Sequence, residues 1–386
     1  MNMNKRKICV IVASRANYGR IKSVLQAISA HDRLELQLIV EASALLYKYG
    51  NVIETIEQDG LKVTATAYSV VDGENLVTMA KSTGLAVMEL STLFDQLKPD
   101  VVLTVADRFE TMATAVTASY MNIAVAHTQG GELTGSIDES VRHAISKLSH
   151  IHFPSNDEAA KVLYQLGENP ERVYITGCPA IDLAANAVSQ KTENLFELYG
   201  GTGYPLNWDK PYIVVLQHPV TTEYTQGAKQ IEETLEAVRR VGMQTVWLWP
   251  NVDAGSDAIA KRLRMFLAAD EGFPVHFYRN FRPEDYVHLI NRAVCLVGNS
   301  SSGIREGAFL GTPVVNIGTR QNCRQRGENV MDVQYDSKAI YDAIQLQLAH
   351  GKYNSVSLYG DGGAGERIAD ILSSCDLSIT KSFFHV

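Results

Sequence analysis

Two loops of this 386-residue chain gather residue types that can move protons and grip phosphate. The first runs His127-Thr128-Gln129-Gly130-Gly131-Glu132-Leu133-Thr134-Gly135-Ser136-Ile137-Asp138. Imidazole, amide and carboxyl groups sit there among glycines that permit close backbone approach, and no helical or strand period runs through them. The loop opens a helix predicted over 139–148, whose first turns present Arg142 and His143. A second carboxylate, Asp107, follows the apolar run Val101–Val105, at the carboxyl end of a predicted strand. Ligands of open α/β sheets sit at such ends, although Asp107 and Asp138 read equally well as helix N-caps.

The other loop is Gly298-Asn299-Ser300-Ser301-Ser302-Gly303, between a strand predicted at 293–297 and a helix predicted at 304–310. Free backbone N–H groups, hydroxyls and a helix N-terminus converge at a turn of this kind, which suits a phosphate. The nearby basic residues Arg320, Arg324 and Arg326 strengthen the anion-site reading.

These loops need a scaffold, and the apolar pattern supplies one. Lys7–Ala13 reads as a buried strand running into Ser14-Arg15-Ala16-Asn17-Tyr18-Gly19-Arg20. Arg15 there is either a surface arginine or an anion ligand. The missing G-x-G-x-x-G fingerprint disfavours a nicotinamide or flavin dinucleotide site. Further strands are predicted at 34–40, 63–69, 101–105, 122–126, 150–153 and 173–176, making about seven before residue 180. A helix over 76–97 is amphipathic and doubles as a candidate dimer face. The turn-rich stretch 199–211 marks a domain boundary, after which the grammar restarts. Strand 212–217 ends in His218, strand 245–249 leads to Asn251 and Asp253, and strand 275–278 leads to Arg279 and Arg282. The predicted organisation is α/β: domain one over 1–185, domain two over 205–365, and a tail over 366–386 that packs back on the first. Two such domains imply a ligand held in the cleft between them.

Composition narrows the function classes. A formal charge of -8 and a pI near 5.7 give no support for nucleic-acid or anionic-membrane binding. Five scattered cysteines without a C-x-x-C pair suit a reducing cytosol and argue against a zinc cluster or disulfide scaffold. No window approaches a membrane span, so the expected location is cytoplasmic.

SRANYG, ADRFE, GGELTGSIDESVRHAISKLSHIHF, HPVTTE, WPNVDAGS and GNSSSGIREGAFLGTPVVNIGTRQ together resemble the UDP-N-acetylglucosamine 2-epimerases over nearly the whole chain. The hydrolysing branch, which serves sialic and legionaminic acid synthesis, is the nearer likeness. The resemblance implies two Rossmann-like domains of the glycosyltransferase-B type with an interdomain active-site cleft, a dimer or tetramer, UDP held mainly by the second domain, and neither cofactor nor metal. It assigns Arg15 to the diphosphate, Ser300, Ser301 and Gly303 to the phosphate-gripping turn, and Glu306 to the ribose hydroxyls. Arg320 falls in the family loop that follows. His218, Asn251 and Asp253 match residues on the second domain's side of the substrate site, with His218 counted among the catalytic residues as an electrostatic and positioning group, and Arg282 is a further substrate-binding candidate. Asp107, Asp138 and Arg142 match the catalytic constellation. One departure stands out: Gln129 replaces the first glutamate of the family's His-Ile-Glu-Gly-Gly-Glu. An amide cannot exchange a proton usefully, so Asp107 and Asp138 carry the transfers, or Glu132 or a bound water takes the missing role, or the chain belongs to a branch that acts on another amino sugar. The resemblance implies elimination of UDP to a 2-acetamidoglucal and rehydration to N-acetylmannosamine. Rival readings are hydrolysis of UDP-N,N'-diacetylbacillosamine, non-hydrolysing epimerisation, and a nucleotide-sugar-binding protein without turnover.

Overall fold

The computed structural model describes residues 5–47, 52–73, 75–188, 190, 192–250, 253–269 and 272–385. It divides into two compact units. The first comprises Met1–Leu133, Ile137–Asp182 and Tyr359–Val386, and the second Thr134–Ser136 and Leu183–Leu358. The C-terminal segment thus belongs to the first unit from Tyr359 onward.

The first unit is built on six parallel strands: β1 (Arg6–Val12), β2 (Leu34–Glu41), β3 (Ala65–Ala67), β4 (Val101–Val105), β5 (Ala124–Thr128) and β6 (Ile151–Phe153), in the order β3-β2-β1-β4-β5-β6. The unbroken apolar run of β1 follows from burial on both faces. Ile8, Val10 and Val12 point into one core with Ile21, Val24, Leu25 and Ile28 of helix Arg15–Ala30. Cys9 and Ile11 point into the other, with Leu90 and Phe94 of helix Leu76–Leu97 and Ala115 and Ala118 of helix Phe109–Tyr120. Helix Leu76–Leu97 buries Ser82, Ala86, Leu90 and Phe94, one residue per turn, and leaves Val77 and Met88 exposed. It begins at an Asn75–Thr78 capping box and stops at left-handed Lys98 ahead of Pro99.

Strand order reverses between β1 and β4, which opens a crevice at their carboxyl ends. Ser14 caps the helix after β1, accepting the Asn17 N–H at 3.2 Å. Asn17 reaches across to the Val105 carbonyl of β4 at 3.5 Å. The strand predicted at 173–176 is not formed. That segment runs beside β6 with a single bridge, His152 to Val173. Tyr174 and Thr176 donate to the His152 and Pro154 carbonyls at 2.8 and 3.3 Å, but Pro154 has no N–H to return a bond, so no regular ladder forms.

The second unit carries β7 (Gly201–Gly203), β8 (Tyr212–Leu216), β9 (Gln244–Leu248), β10 (Val275–Tyr278), β11 (Cys295–Gly298), β12 (Val314–Ile317) and β13 (Val330–Val333). Their order is β13-β12-β11-β8-β9-β10-β7, parallel except for β7 against β10. Here the switch point lies between β8 and β11. Gly298 ends β11 at φ +133°, where an added Cβ would fall 2.1 Å from the Leu216 carbonyl oxygen of β8. Only glycine lets the strands stay paired at that point. Among the described residues, no helix is long and apolar enough to cross a membrane.

Candidate active site

In the first unit the site residues are arranged around a buried histidine and a buried arginine. His127, on β5, is fully buried, with Nε2 2.7 Å from the Ala106 carbonyl and Nδ1 3.3 Å from the Ser146 hydroxyl. Burial pushes its pKa down to about 3, so the ring is neutral at physiological pH. Neutral imidazole donates from one nitrogen and accepts at the other, which matches a carbonyl on one side and a hydroxyl on the other. The carbonyl it holds belongs to a residue in the left-handed region, Ala106, at φ +64°. That strained turn ends β4 and presents Asp107.

Asp107 is 8% exposed and is ion-paired with Arg142, which is completely buried. Arg20 Nη1 stands 4.0 Å from its other oxygen. Arg142 also donates to the Glu132 carbonyl at 2.5 Å and lies 3.5 Å from Glu139 Oε2. Burial depresses the arginine pKa, but the charges of Asp107, Glu132 and Asp138 outweigh it and the net shift is upward. One permanently charged guanidinium therefore sits among four carboxylates, Asp107, Glu132, Asp138 and Glu139, drawn from three segments: the end of β4, the loop after β5 and the first turn of helix Ile137–Leu148.

The loop after β5 is held as firmly. Gly131 has φ +80°, and a Cβ there would lie 2.0 Å from the Ala159 carbonyl oxygen. Glu132 is buried and accepts the Ser155 hydroxyl at 2.7 Å. Gln129 is 1% exposed and adopts φ +63°. Its N–H donates to the Phe153 carbonyl at 3.1 Å, and its side-chain amide donates to Cys178 Sγ, also at 3.1 Å. Arg15 is the half-buried first residue of the helix after β1.

In the second unit, Asn299 is fully buried and clamps the backbone of His218: its Oδ1 accepts the His218 N–H at 2.7 Å and its Nδ2 donates to the His218 carbonyl at 2.8 Å. This locks the ends of β8 and β11 together. Ser300 caps the short helix Ser301–Ile304, and Tyr286 reaches Ser302 Oγ at 2.6 Å. The helix predicted at 304–310 is thus two pieces, Ser301–Ile304 and Glu306–Leu310, joined at Arg305. A Cβ on Gly303 would press to 2.9 Å against Val314, so the turn packs tightly on β12. Arg320 donates to the Asn299 carbonyl at 3.2 Å and so lies beside the serine turn. Arg326 instead pairs with Asp332 and donates to the Arg324 carbonyl, bracing its own loop. Asp253 is buried, Arg282 stands at the N-cap position of helix Pro283–Arg292 with no capping hydrogen bond from its side chain, and Asn251 lies outside the described residues.

Several participants escaped the sequence reading. Arg20 and Ser155 meet Asp107 and Glu132 only through the fold, whereas Glu139 lies three residues before Arg142 on the same helix, a spacing visible in the chain. Arg305 is 2% exposed and donates to Ser301 Oγ at 2.9 Å. Its neighbour Glu306 lies 4.0 Å away, nearly buried, with no hydrogen-bond partner for Oε2 among the described residues. Glu306 followed Arg305 in an ordinary-looking helix, so no local signal set Arg305 apart.

Residues 26–373 match the family described as UDP-N-acetylglucosamine 2-epimerase. The chain is 32% identical to the UDP-N-acetylglucosamine 2-epimerase of Neisseria meningitidis, over 96% of this chain and 95% of the relative. It is 31% identical to the hydrolysing UDP-N,N'-diacetylbacillosamine 2-epimerase of Legionella pneumophila, over 96% and 97%. In structure it resembles a UDP-GlcNAc 2-epimerase from Neisseria meningitidis solved with UDP-GlcNAc bound, with TM-score 0.77, 18% identity, and coverage of 95% of this chain and 99% of that one. The enzyme from Methanocaldococcus jannaschii gives the same TM-score at 19% identity, with the same coverage. These structural likenesses speak for the two-Rossmann-domain fold, and the sequence matches carry the family. On that ground the chain belongs to the UDP-N-acetylglucosamine 2-epimerase family.

Proposed function

We propose that the protein is a hydrolysing 2-epimerase that converts UDP-N-acetylglucosamine and water to N-acetylmannosamine and UDP. The observation that carries this reading is the ring of carboxylates around buried Arg142. Elimination needs a base at the hydrogen on C2 of the sugar while the C1–O bond to UDP breaks. The C2–H electron pair becomes the C1=C2 bond of a 2-acetamidoglucal, the base keeps the proton, and UDP departs with the C1–O pair. Water then adds hydroxyl at C1 while a second acid delivers a proton to C2 from the opposite face; the proton given up by the water restores that acid, and the base sheds the original C2 proton to solvent. Two carboxyl groups with different surroundings suit the two proton transfers. Asp107, ion-paired with Arg142, and Asp138, half-exposed on the first turn of its helix, differ in that way. Glu132 is committed to Ser155, and Gln129 to Cys178. The proton work accordingly falls to Asp107 and Asp138, with Arg142 as their electrostatic partner. Arg15, the serine turn from Ser300 to Gly303, and Arg320 would stabilise the leaving diphosphate, with His218 and Asp253 beside the sugar and Glu306 on the ribose.

A second reading, hydrolysis of a UDP-linked 2,4-diacetamido sugar, draws on the Legionella relative, whose identity nearly equals that of the Neisseria one. Both substrates should be incubated with the protein in deuterated water and the products followed by NMR. Free UDP with a manno product deuterated at C2 supports hydrolysis, and the faster substrate decides between the two sugars. A UDP-linked manno product would make the enzyme non-hydrolysing, and binding without turnover would sink the proposal.

A further inference from the structure

The C-terminal tail ends in a contact that the reaction described above does not use. Lys381 places its ammonium at the carboxyl end of helix Ile137–Leu148, donating to the carbonyls of Ser146, Lys147 and Ser149 at 3.0, 2.9 and 2.6 Å. Ser146 and Lys147 carry two of the last carbonyls of that helix and Ser149 lies just past its end, so a cation there meets the negative end of the helix dipole. The ammonium is held in turn by Glu168, 2.6 Å away. Glu168 is 1% exposed and also receives Lys147 at 2.7 Å and His152 at 2.9 Å. The tail around Lys381 is seated independently. Phe384 N–H donates to the Gly167 carbonyl at 2.9 Å, and the Phe383 ring lies so close to Gly167 that a Cβ there would meet it at 2.4 Å.

The helix gripped in this way carries Asp138 and Arg142. Its Ser146 also contacts His127, and His127 holds the carbonyl of Ala106, the residue before Asp107. Hydrogen bonds therefore run without a gap from the tail ammonium to both segments that bear the proton-handling carboxylates. We propose that Lys381 is a positioning residue: from the C-terminal tail it sets the place of helix Ile137–Leu148, and through it the Asp107–Arg142 pair and Asp138. The kinetic side of this proposal rests on the function given above. A tail that only covered surface would need apolar contacts such as Phe383. It would not need an ammonium shared between a helix end and the buried Glu168 carboxylate.

The test uses full-length Lys381→Met, Lys381→Arg and, as a milder lesion, Phe383→Ala, which loosens the seat and leaves the cation. Amide hydrogen exchange over residues 137–149 is read together with kcat and KM for UDP-N-acetylglucosamine. Lys381→Met should speed exchange in that helix and lower kcat by roughly tenfold with KM within about twofold, since displaced catalytic groups cost rate more than binding. Lys381→Arg should recover most of both, and Phe383→Ala should fall between. Unchanged exchange or unchanged kcat in Lys381→Met would overturn the proposal, as would failure of Lys381→Arg to recover either. If Lys381→Met does not fold, wild-type behaviour of Phe383→Ala would overturn it. Should the wild-type protein turn over no UDP-sugar, the proposed function fails, and the exchange comparison still decides whether Lys381 sets the helix.

Discussion

Replacing Asp107 by asparagine separates catalysis from architecture most sharply. The substitution preserves shape and removes one negative charge from a site where a fully buried guanidinium faces it. Two effects follow and are measurable apart. As a proton-transfer group, a positioned carboxylate contributes about 10²–10⁴ in rate, or about 3–5 kcal/mol. Asp107→Asn should therefore lower kcat at least a hundredfold with little change in KM, and it should slow exchange of the C2 hydrogen with solvent by the same factor. As a counter-ion, Asp107 shares Arg142 with Glu132, Asp138 and Glu139. Removing one partner of an isolated buried pair costs about 3–5 kcal/mol. With three carboxylates left and an amide oxygen still able to accept, a loss of about 1–3 kcal/mol is expected in urea unfolding. A cycle with Arg142→Met apportions the pair, since the double variant should be less unstable than the two singles summed. A kcat within threefold of wild type in a folded Asp107→Asn would refute a proton-transfer role and reduce Asp107 to a loop cap.

Other expectations concern stability and the departure at Gln129. His127 has a folded pKa near 3 against 6.5 in the unfolded chain, so between those values the unfolded state binds the extra proton. Stability from this group is complete above pH 6.5 and declines as pH falls toward 3, by about 2 kcal/mol at pH 5. His127→Asn should flatten that slope in urea melts taken from pH 7 to 5. Gly131→Ala forces a Cβ to 2.0 Å from a backbone oxygen at φ +80° and should cost at least about 2 kcal/mol, with loss of activity. Gln129→Glu puts a carboxyl beside Cys178 in a site 1% exposed. Burial raises the pKa of such a group, so the variant should be destabilised by about 1–3 kcal/mol at pH 7.5 and by less at pH 5.5, each relative to wild type at the same pH. Equal destabilisation at both values would mean that the carboxyl escapes to solvent.

Much of this protein was legible locally. Apolar runs such as 7–13 and 101–105 give buried parallel strands because both faces of the sheet are covered, and a strand buried on both faces needs no alternation. Asp107, the 127–138 loop and the 298–303 turn were found because they follow such runs, and the carboxyl ends of parallel strands are where backbone groups are left over. The sequence also marked Gln129 as an exception, since an amide in place of an acid is visible without coordinates.

Tertiary structure decided what these residues face. That Asp107 joins Glu132, Asp138 and Glu139 around the fully buried Arg142 depends on the pairing of β4 with β5, which no local window encodes. The fold likewise supplies Ser155 to Glu132 and Cys178 to Gln129. Arg326 belonged to a basic cluster in the chain and is ion-paired with Asp332 in the fold, and the strand expected at 173–176 failed because Pro154 withholds a donor on its neighbour. Lys381 is an unremarkable lysine near the chain end until the fold brings it to a helix terminus more than 230 residues earlier in sequence. Period and turn chemistry act over a few residues and can be read from the chain. Charge pairing acts through space, and which charges meet is settled only when strand order and helix packing bring distant segments together.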